Sequence, residues 1–193
     1  MLRFIAFLRA INVGGHTVKM DHLRKLFEAL GFSNVETFIA SGNVIFESPA
    51  KNAQTLEKQI ERHLRQSLGY EVATFIRSAS ELAAIAQYQP FTTAERDTAG
   101  HSLYIAFLRA PPNHESRQKL MAFRTPVDDF HIHEREIYWL CRKKMSESAF
   151  SGALLEKTLG MPATMRNATT VKKLAAKYAA PSVGADHRPR SGL

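Results

Sequence analysis

Three short stretches of this chain place polar and glycine residues where an anion can be held. The first is Asn12-Val13-Gly14-Gly15-His16. Paired glycines permit positive φ and close backbone approach, so consecutive amide N–H groups can cradle an anion. The stretch is neither a P-loop nor G-x-G-x-x-G, and a glycine pair serves equally as a plain turn between a strand and a helix. The second is Ser41-Gly42-Asn43, whose hydroxyl and amide can hold a ligand or simply close a hairpin. The third begins at Arg166-Asn167. There Asn167 can cap a helix whose first-turn amides favour negative charge, and Thr169 and Thr170 add hydroxyls. Arg166 offers a bidentate contact to phosphate or carboxylate, and Lys173 lies further along the helix. The plainer alternative is an ordinary cap with Arg166 paired internally. Arg9 and Arg109 end two equivalent strands. If a pseudo-twofold axis relates those strands, the two arginines either line one cleft or lie on opposite sides of it.

Other chemistry is less well supported. His131-Ile132-His133 points two imidazoles to the same strand face, but a metal site needs a third ligand and none is placed by spacing. No metal and no cofactor are therefore expected. Cys141 stands alone, which excludes an internal disulfide, and it reads as a small apolar strand residue. No nucleophile–base–orienter set and no paired carboxylates are legible, so the sequence leaves open whether the chain is an enzyme. The aromatic motifs of an RNA-recognition domain are missing.

Charge narrows the partners. The chain carries a formal +8, of which residues 161–193 contribute +5: Arg166, Lys172, Lys173, Lys177, Arg188 and Arg190 against Asp186 alone. Such an end attracts nucleic acid or another phosphate-bearing ligand, or is only a solvated helix face with a solubilising tail. Apolar runs such as Phe4–Leu8 are too short to span a membrane, so no membrane partner and a cytoplasmic address are expected.

The elements that must position these residues are announced by a repeat. Ile5-Ala6-Phe7-Leu8-Arg9-Ala10 recurs letter for letter as Ile105-Ala106-Phe107-Leu108-Arg109-Ala110, one hundred positions on. The first copy reads as a strand at Phe4–Arg9, a helix near Met20–Leu30, strands at Val35–Ala40 and Val44–Glu47 around a tight Ser41-Gly42-Asn43 turn, a helix near Ala53–Leu68 and a strand at Tyr70–Arg77. Ser78 and Glu81 then form a capping box for a short trailing helix through Leu82 and Ile85. The second copy echoes this order: a strand at Leu103–Arg109, a helix from Pro111 to about Phe123, a hairpin of Phe130–Glu134 with Ile137–Arg142, a helix near Ser148–Leu159, a short strand at Ala163–Arg166 and a final helix capped by Asn167. Arg77-Ser78 aligns with Arg166-Asn167 in this scheme.

Three segments together resemble a known family. They are Leu8-Arg9-Ala10-Ile11-Asn12-Val13-Gly14-Gly15, Ser41-Gly42-Asn43-Val44-Ile45-Phe46 and Arg166-Asn167-Ala168-Thr169-Thr170-Val171-Lys172-Lys173-Leu174. The chain is identified on them as a member of a bacterial family of unknown function, domain of unknown function 1697, whose pattern is L-R-G-I-N-V-G-G, S-G-N-V-x-F and R-N-W-x-T-V-x-K-L. The resemblance extends from Phe4 to Tyr178. It implies a fold and a candidate surface, not a reaction. Ala10 stands where the family has glycine and Ala168 where it has tryptophan, which puts in doubt any role that needs stacking at that position.

The expected fold is α+β: two ferredoxin-like βαββαβ units, each with a trailing helix, packed into one globule. The units span 1–90 and 102–180, joined by a linker at 91–101 and followed by a basic, disordered tail at 181–193. Strands such as Ile5–Leu8 are apolar on both sides, so the sheet faces without helices should cover each other. Ile5, Phe7, Ile105 and Phe107 are the first core candidates. Oligomeric state is not set by the sequence. Two function classes lead, and a protein–protein module using an exposed sheet edge stays open as a third. One is a protein that binds a phosphate-bearing partner such as nucleic acid, with Lys172, Lys173 and Lys177 on its phosphates. The other is a small-ligand protein or enzyme with an anion site in the cleft between units, formed from Arg9, Asn12, Gly14, Gly15, Ser41, Asn43, Arg166 and Asn167.

Overall fold

The structure, a computed structural model, describes residues 1–12, 14–39 and 42–179. Ser41 and the expected tail at 181–193 lie outside the described residues. The first unit runs β1 (Leu2–Leu8), α1 (Met20–Glu28), β2 (Ser33–Thr37), β3 (Asn43–Ser48), α2 (Ala53–Leu68), β4 (Thr74–Ser78) and α3 (Ala79–Gln87). A five-residue helix, α4 (Thr93–Asp97), follows within the segment expected to be a plain linker, capped by Thr92 and Glu95. The second unit runs β5 (Ser102–Phe107), α5 (His114–Met121), β6 (Asp128–His133), β7 (Glu136–Cys141), α6 (Gly152–Leu159), β8 (Thr164–Asn167) and α7 (Ala168–Tyr178).

Each unit forms a four-stranded antiparallel sheet, in the order β2-β3-β1-β4 and β6-β7-β5-β8. That shared order is the ferredoxin-like one, and the duplication is structural as well as sequential. Alternation along β1 sends Phe4, Ala6 and Leu8 to one face and Ile5 and Phe7 to the other. The first set packs under α1 and α2 with Leu23, Phe27, Leu56, Ile60 and Leu64. In the second unit Ala106, Leu108 and Trp139 pack under α5 and α6 with Leu120, Leu155 and Leu159. The remaining faces meet. Ile5, Phe7, Ile45 and Phe75 join Ile105, Phe107, Tyr138 and Leu140 in one core, together with Leu82, Ile85, Val171 and Leu174 of α3 and α7. The apolar sheet faces therefore cover each other, as strands apolar on both sides require.

Local signals explain the helix limits. Asn52 caps α2 through Thr55 N–H, and Gly69 ends it with φ 82°. Ser78 and Glu81 make the reciprocal capping box at α3.

Several expected elements differ in their limits, and α6 begins at Gly152 rather than near Ser148. β2 stops at Thr37, three residues early, and Asn43 is not a turn residue but the first residue of β3, fully buried. Its side-chain amide donates to Phe38 O, and its carbonyl oxygen accepts from Arg166, so interior hydrogen bonds hold it in the strand rather than in the turn. β4 starts at Thr74, not Tyr70. Tyr70 instead turns back to donate its hydroxyl to Ile11 O.

Candidate functional site

The core between the sheets contains a crossed polar layer. Arg77 and Arg166 hold equivalent places on β4 and β8, and both point inward. Arg166 donates to Leu8 O at 3.0 Å and Gly42 O at 3.3 Å, and Arg77 donates to Leu108 O at 2.8 Å and Arg135 O at 3.4 Å. Each arginine thus caps the end of the other unit's first strand. Arg166 also donates to Asn43 Oδ1 at 2.6 Å, and Arg77 to Glu136 Oε1 at 2.6 Å; Asn43 and Glu136 occupy the same place opposite Phe7 and Phe107. Gly42 is fixed by space and by backbone: with φ +70°, a Cβ there would lie 2.7 Å from Ile11 Cγ2 and 3.2 Å from Leu8 Cβ. Burial pushes the Arg166 guanidinium down to about 10.

Gly42, Asn43 and Arg166 therefore meet on a packed interior, whereas Asn12, Gly15 and Asn167 serve other local contacts. Arg166 is 8% exposed and its guanidinium faces internal acceptors rather than solvent. Asn12 braces its loop by accepting the Val18 N–H at 2.7 Å. Gly14 and Gly15 take the positive φ that the glycine-pair turn requires, and Gly15 borders a separate groove of about 560 Å³ where His16 stacks on Tyr70. Asn167 caps α7 by accepting from Thr169 N–H. Thr169 and Lys172 line a small pocket of about 130 Å³ with Arg96 and His101. Thr170 is half-buried, and Lys173 is exposed on α7.

Of these residues only Arg9 lines the large cavity, a cleft of about 880 Å³ between the units. Arg9 and Arg109 both line it, so the equivalent strand ends share one cleft. Each guanidinium reaches into the other unit. Arg9 grips Glu156 of α6 with two hydrogen bonds of 2.6 and 2.7 Å, and Arg109 pairs with Glu61 of α2. The carboxylates are pinned from behind as well: Glu61 accepts the Thr74 N–H, and Glu156 the Ala163 N–H, each at 2.8 Å. Glu57, one turn before Glu61, accepts the Ile76 N–H, so the outer edge of β4 is closed by carboxylates rather than left open to pairing.

Charge in the cleft does not cancel. Its lining includes Arg9, Lys58, Arg62, Arg65, Arg109 and Lys157 against Glu61, Glu71 and Glu156. All three carboxylates are paired with arginines, Glu71 with Arg65 at 3.2 Å. Among the described residues, Lys58, Arg62 and Lys157 have no ion-pair partner. A concave site with uncompensated cations and a floor of anchored arginines attracts an anion of small-molecule size. Sequence reasoning missed Lys58, Glu61, Arg62, Glu156 and Lys157. One signal was present: Ile60-Glu61-Arg62 in the first copy parallels Leu155-Glu156-Lys157 in the second.

His131 and His133 do not form a metal pair with a third ligand; among the described residues no group of three or more metal-ligating side chains occurs. Tyr88 stacks on His133 at 4.0 Å and places its hydroxyl 2.6 Å from His131 Nε2. No helix among the described residues is long and apolar enough to cross a membrane.

Comparison with known proteins agrees with this architecture. A solved structure described as that of conserved bacterial protein SP0830 from Streptococcus pneumoniae superposes with a TM-score of 0.73, at 23% identity, over 92% of this chain and 98% of that one. No protein of curated function matches the chain. Residues 1–138 match the family described as protein of unknown function (DUF1697), a span that includes the first two motifs and stops short of Arg166. The chain belongs to the DUF1697 family.

Proposed function

We propose that this protein binds a phosphate-bearing small ligand in the cleft between its two units. One observation carries the reading: after every carboxylate of the cleft is paired, Lys58, Arg62 and Lys157 remain as uncompensated cations around a cavity of about 880 Å³. That volume lies in the range of small-molecule sites, about 300–1,000 Å³. The alternative is nucleic acid along α7, which rests on exposed Lys172 and Lys173. It is less favoured because Arg166, the residue meant to position a phosphate there, faces the interior. Lys177, the third cation of that face, lies 3.4 Å from Glu36.

Isothermal titration calorimetry at low and physiological salt, with ATP and with a short single-stranded RNA as probes, tests the reading. ATP should bind at low salt, weaken as salt rises, and weaken further in Arg62→Ala and Lys157→Ala. Binding of RNA alone, lost in Lys172→Ala/Lys173→Ala and untouched by the cleft variants, would move the site to α7. No binding of either probe at low salt would sink the anion reading.

A further inference from the structure

The cleft has an internal symmetry that says what kind of anion fits it. Glu61-Arg62 on α2 and Glu156-Lys157 on α6 are equivalent dipeptides of the two units, each following a fully buried helix residue, Ile60 and Leu155. In both, the glutamate takes the strand-end arginine of the opposite unit, and the residue after it is an unpartnered cation on the cleft wall. Arg9, Glu156 and Lys157 therefore make one cationic locus, and Arg109, Glu61 and Arg62 make its counterpart. Each arginine is held by its carboxylate with guanidinium hydrogens to spare: Arg9 uses Nε and Nη2 on Glu156, and Arg109 uses Nη2 on Glu61, while both remain more than two-fifths exposed at 44% and 42%. Lys58 on α2 adds charge beside the second locus.

A ligand with one anionic group can use one of two such loci at a time. A ligand with two can use both at once, and the second contact forms within the complex at high effective concentration. From this duplication of the cation set we infer that the cleft takes a ligand carrying two phosphate groups on one molecule, each engaging one locus, rather than a monophosphate. The inference rests on the cleft reading above and adds the class of ligand. The same chemistry comes from a small oligophosphate or from successive phosphates of a nucleic-acid strand, and the experiment separates these.

Calorimetric titration with inorganic phosphate, pyrophosphate, tripolyphosphate and a short single-stranded RNA, at low salt, reads out affinity and stoichiometry. One of the multi-phosphate probes should bind one to one and at least about tenfold tighter than inorganic phosphate. Arg62→Ala and Lys157→Ala should each bring that probe close to the affinity of inorganic phosphate, and the double variant, which impairs both loci, should weaken binding further still. Arg62→Lys and Lys157→Arg should keep most of the gain, because the charge stays. RNA tighter than tripolyphosphate identifies a strand as the source, and the reverse order a small oligophosphate. Equal affinity for phosphate and every multi-phosphate probe overturns the two-point inference while leaving the anion cleft standing, as does binding of two oligophosphates per chain. Silence of all four probes removes the cleft reading itself.

Discussion

Phe7 stacks on Phe107 with ring centroids 4.0 Å apart and planes 12° from parallel. These are the same residue of the repeated hexapeptide, so the pseudo-twofold relating the units runs between the two rings. Each ring also lies under the inward arginine of the other sheet's end: Arg166 stands 5.7 Å from the Phe7 centroid and Arg77 5.4 Å from that of Phe107. The stack joins the units at the centre of their shared core. Truncating either ring to alanine should cost about 3–5 kcal/mol. The double variant should cost less than the sum, because both changes open one cavity. Urea unfolding followed by Trp139 fluorescence measures this, and strictly additive losses would mean that the rings act independently.

Glu136 and Arg77 form a buried ion pair, their side chains 3% and 0% exposed. Burial pushes the carboxyl up and the guanidinium down from their ordinary values, each partly restored by the other. Glu136→Ala strands the cation in the interior and should cost about 3–5 kcal/mol. Adding Arg77→Met to that variant should recover much of the loss, since it removes the stranded charge while keeping an apolar chain over Phe107. A single variant as stable as the parent in urea would contradict the pairing.

Much of this architecture was legible in the sequence, for physical reasons that stop at particular residues. The identical hexapeptides fixed β1 and β5 as equivalent, and an apolar alternation on both sides of Ile5–Leu8 required a covered second face. The stripe Leu56, Ile60, Leu64 marked α2 to its glycine stop. Asn43 was not legible, because the amide that suits a turn is equally suited to receiving a buried guanidinium, and only the docking of the second unit supplies Arg166. The direction of Arg166 was hidden for the same reason: inward and outward on a strand differ by the parity of one residue. Lys58, Arg62 and Lys157 read as the solvated faces of two helices. They become one site only because the units pack with α2 and α6 flanking the ends of β1 and β5.

Ala10 has φ 55°, in the left-handed region that favours glycine. Alanine there costs about 1–2 kcal/mol in backbone strain, and glycine gives back about 0.5–1 kcal/mol through its freer unfolded chain. Ala10→Gly should therefore stabilise the protein by about 0.5–1 kcal/mol. For a chain of this size that appears as a rise in Tm of roughly 1–4 °C. A fall in Tm would show that the loop relaxes around alanine without strain.

His131 supplies a pH dependence whose sign follows from its surroundings. Burial, then the neighbouring His133 and Arg124, hold its imidazole below the ordinary 6.5, and Asp129 opposes them only in part. A folded-state value below the unfolded one means that the unfolded chain binds the proton more readily. Stability from this site is fully present above about pH 6.5 and declines as pH falls below it towards the folded-state value. The carboxylates held low by hydrogen bonds and cations, such as Glu47 by Asn34 and Arg3, lose their contribution only below the ordinary 4.5. The two effects are therefore separated in pH. Urea midpoints at pH 7.5 and 5.5 should fall more for the parent protein than for His131→Gln, which keeps a polar group near Tyr88 Oη but does not titrate. Equal falls in the two proteins would assign the acid sensitivity in this range to another group.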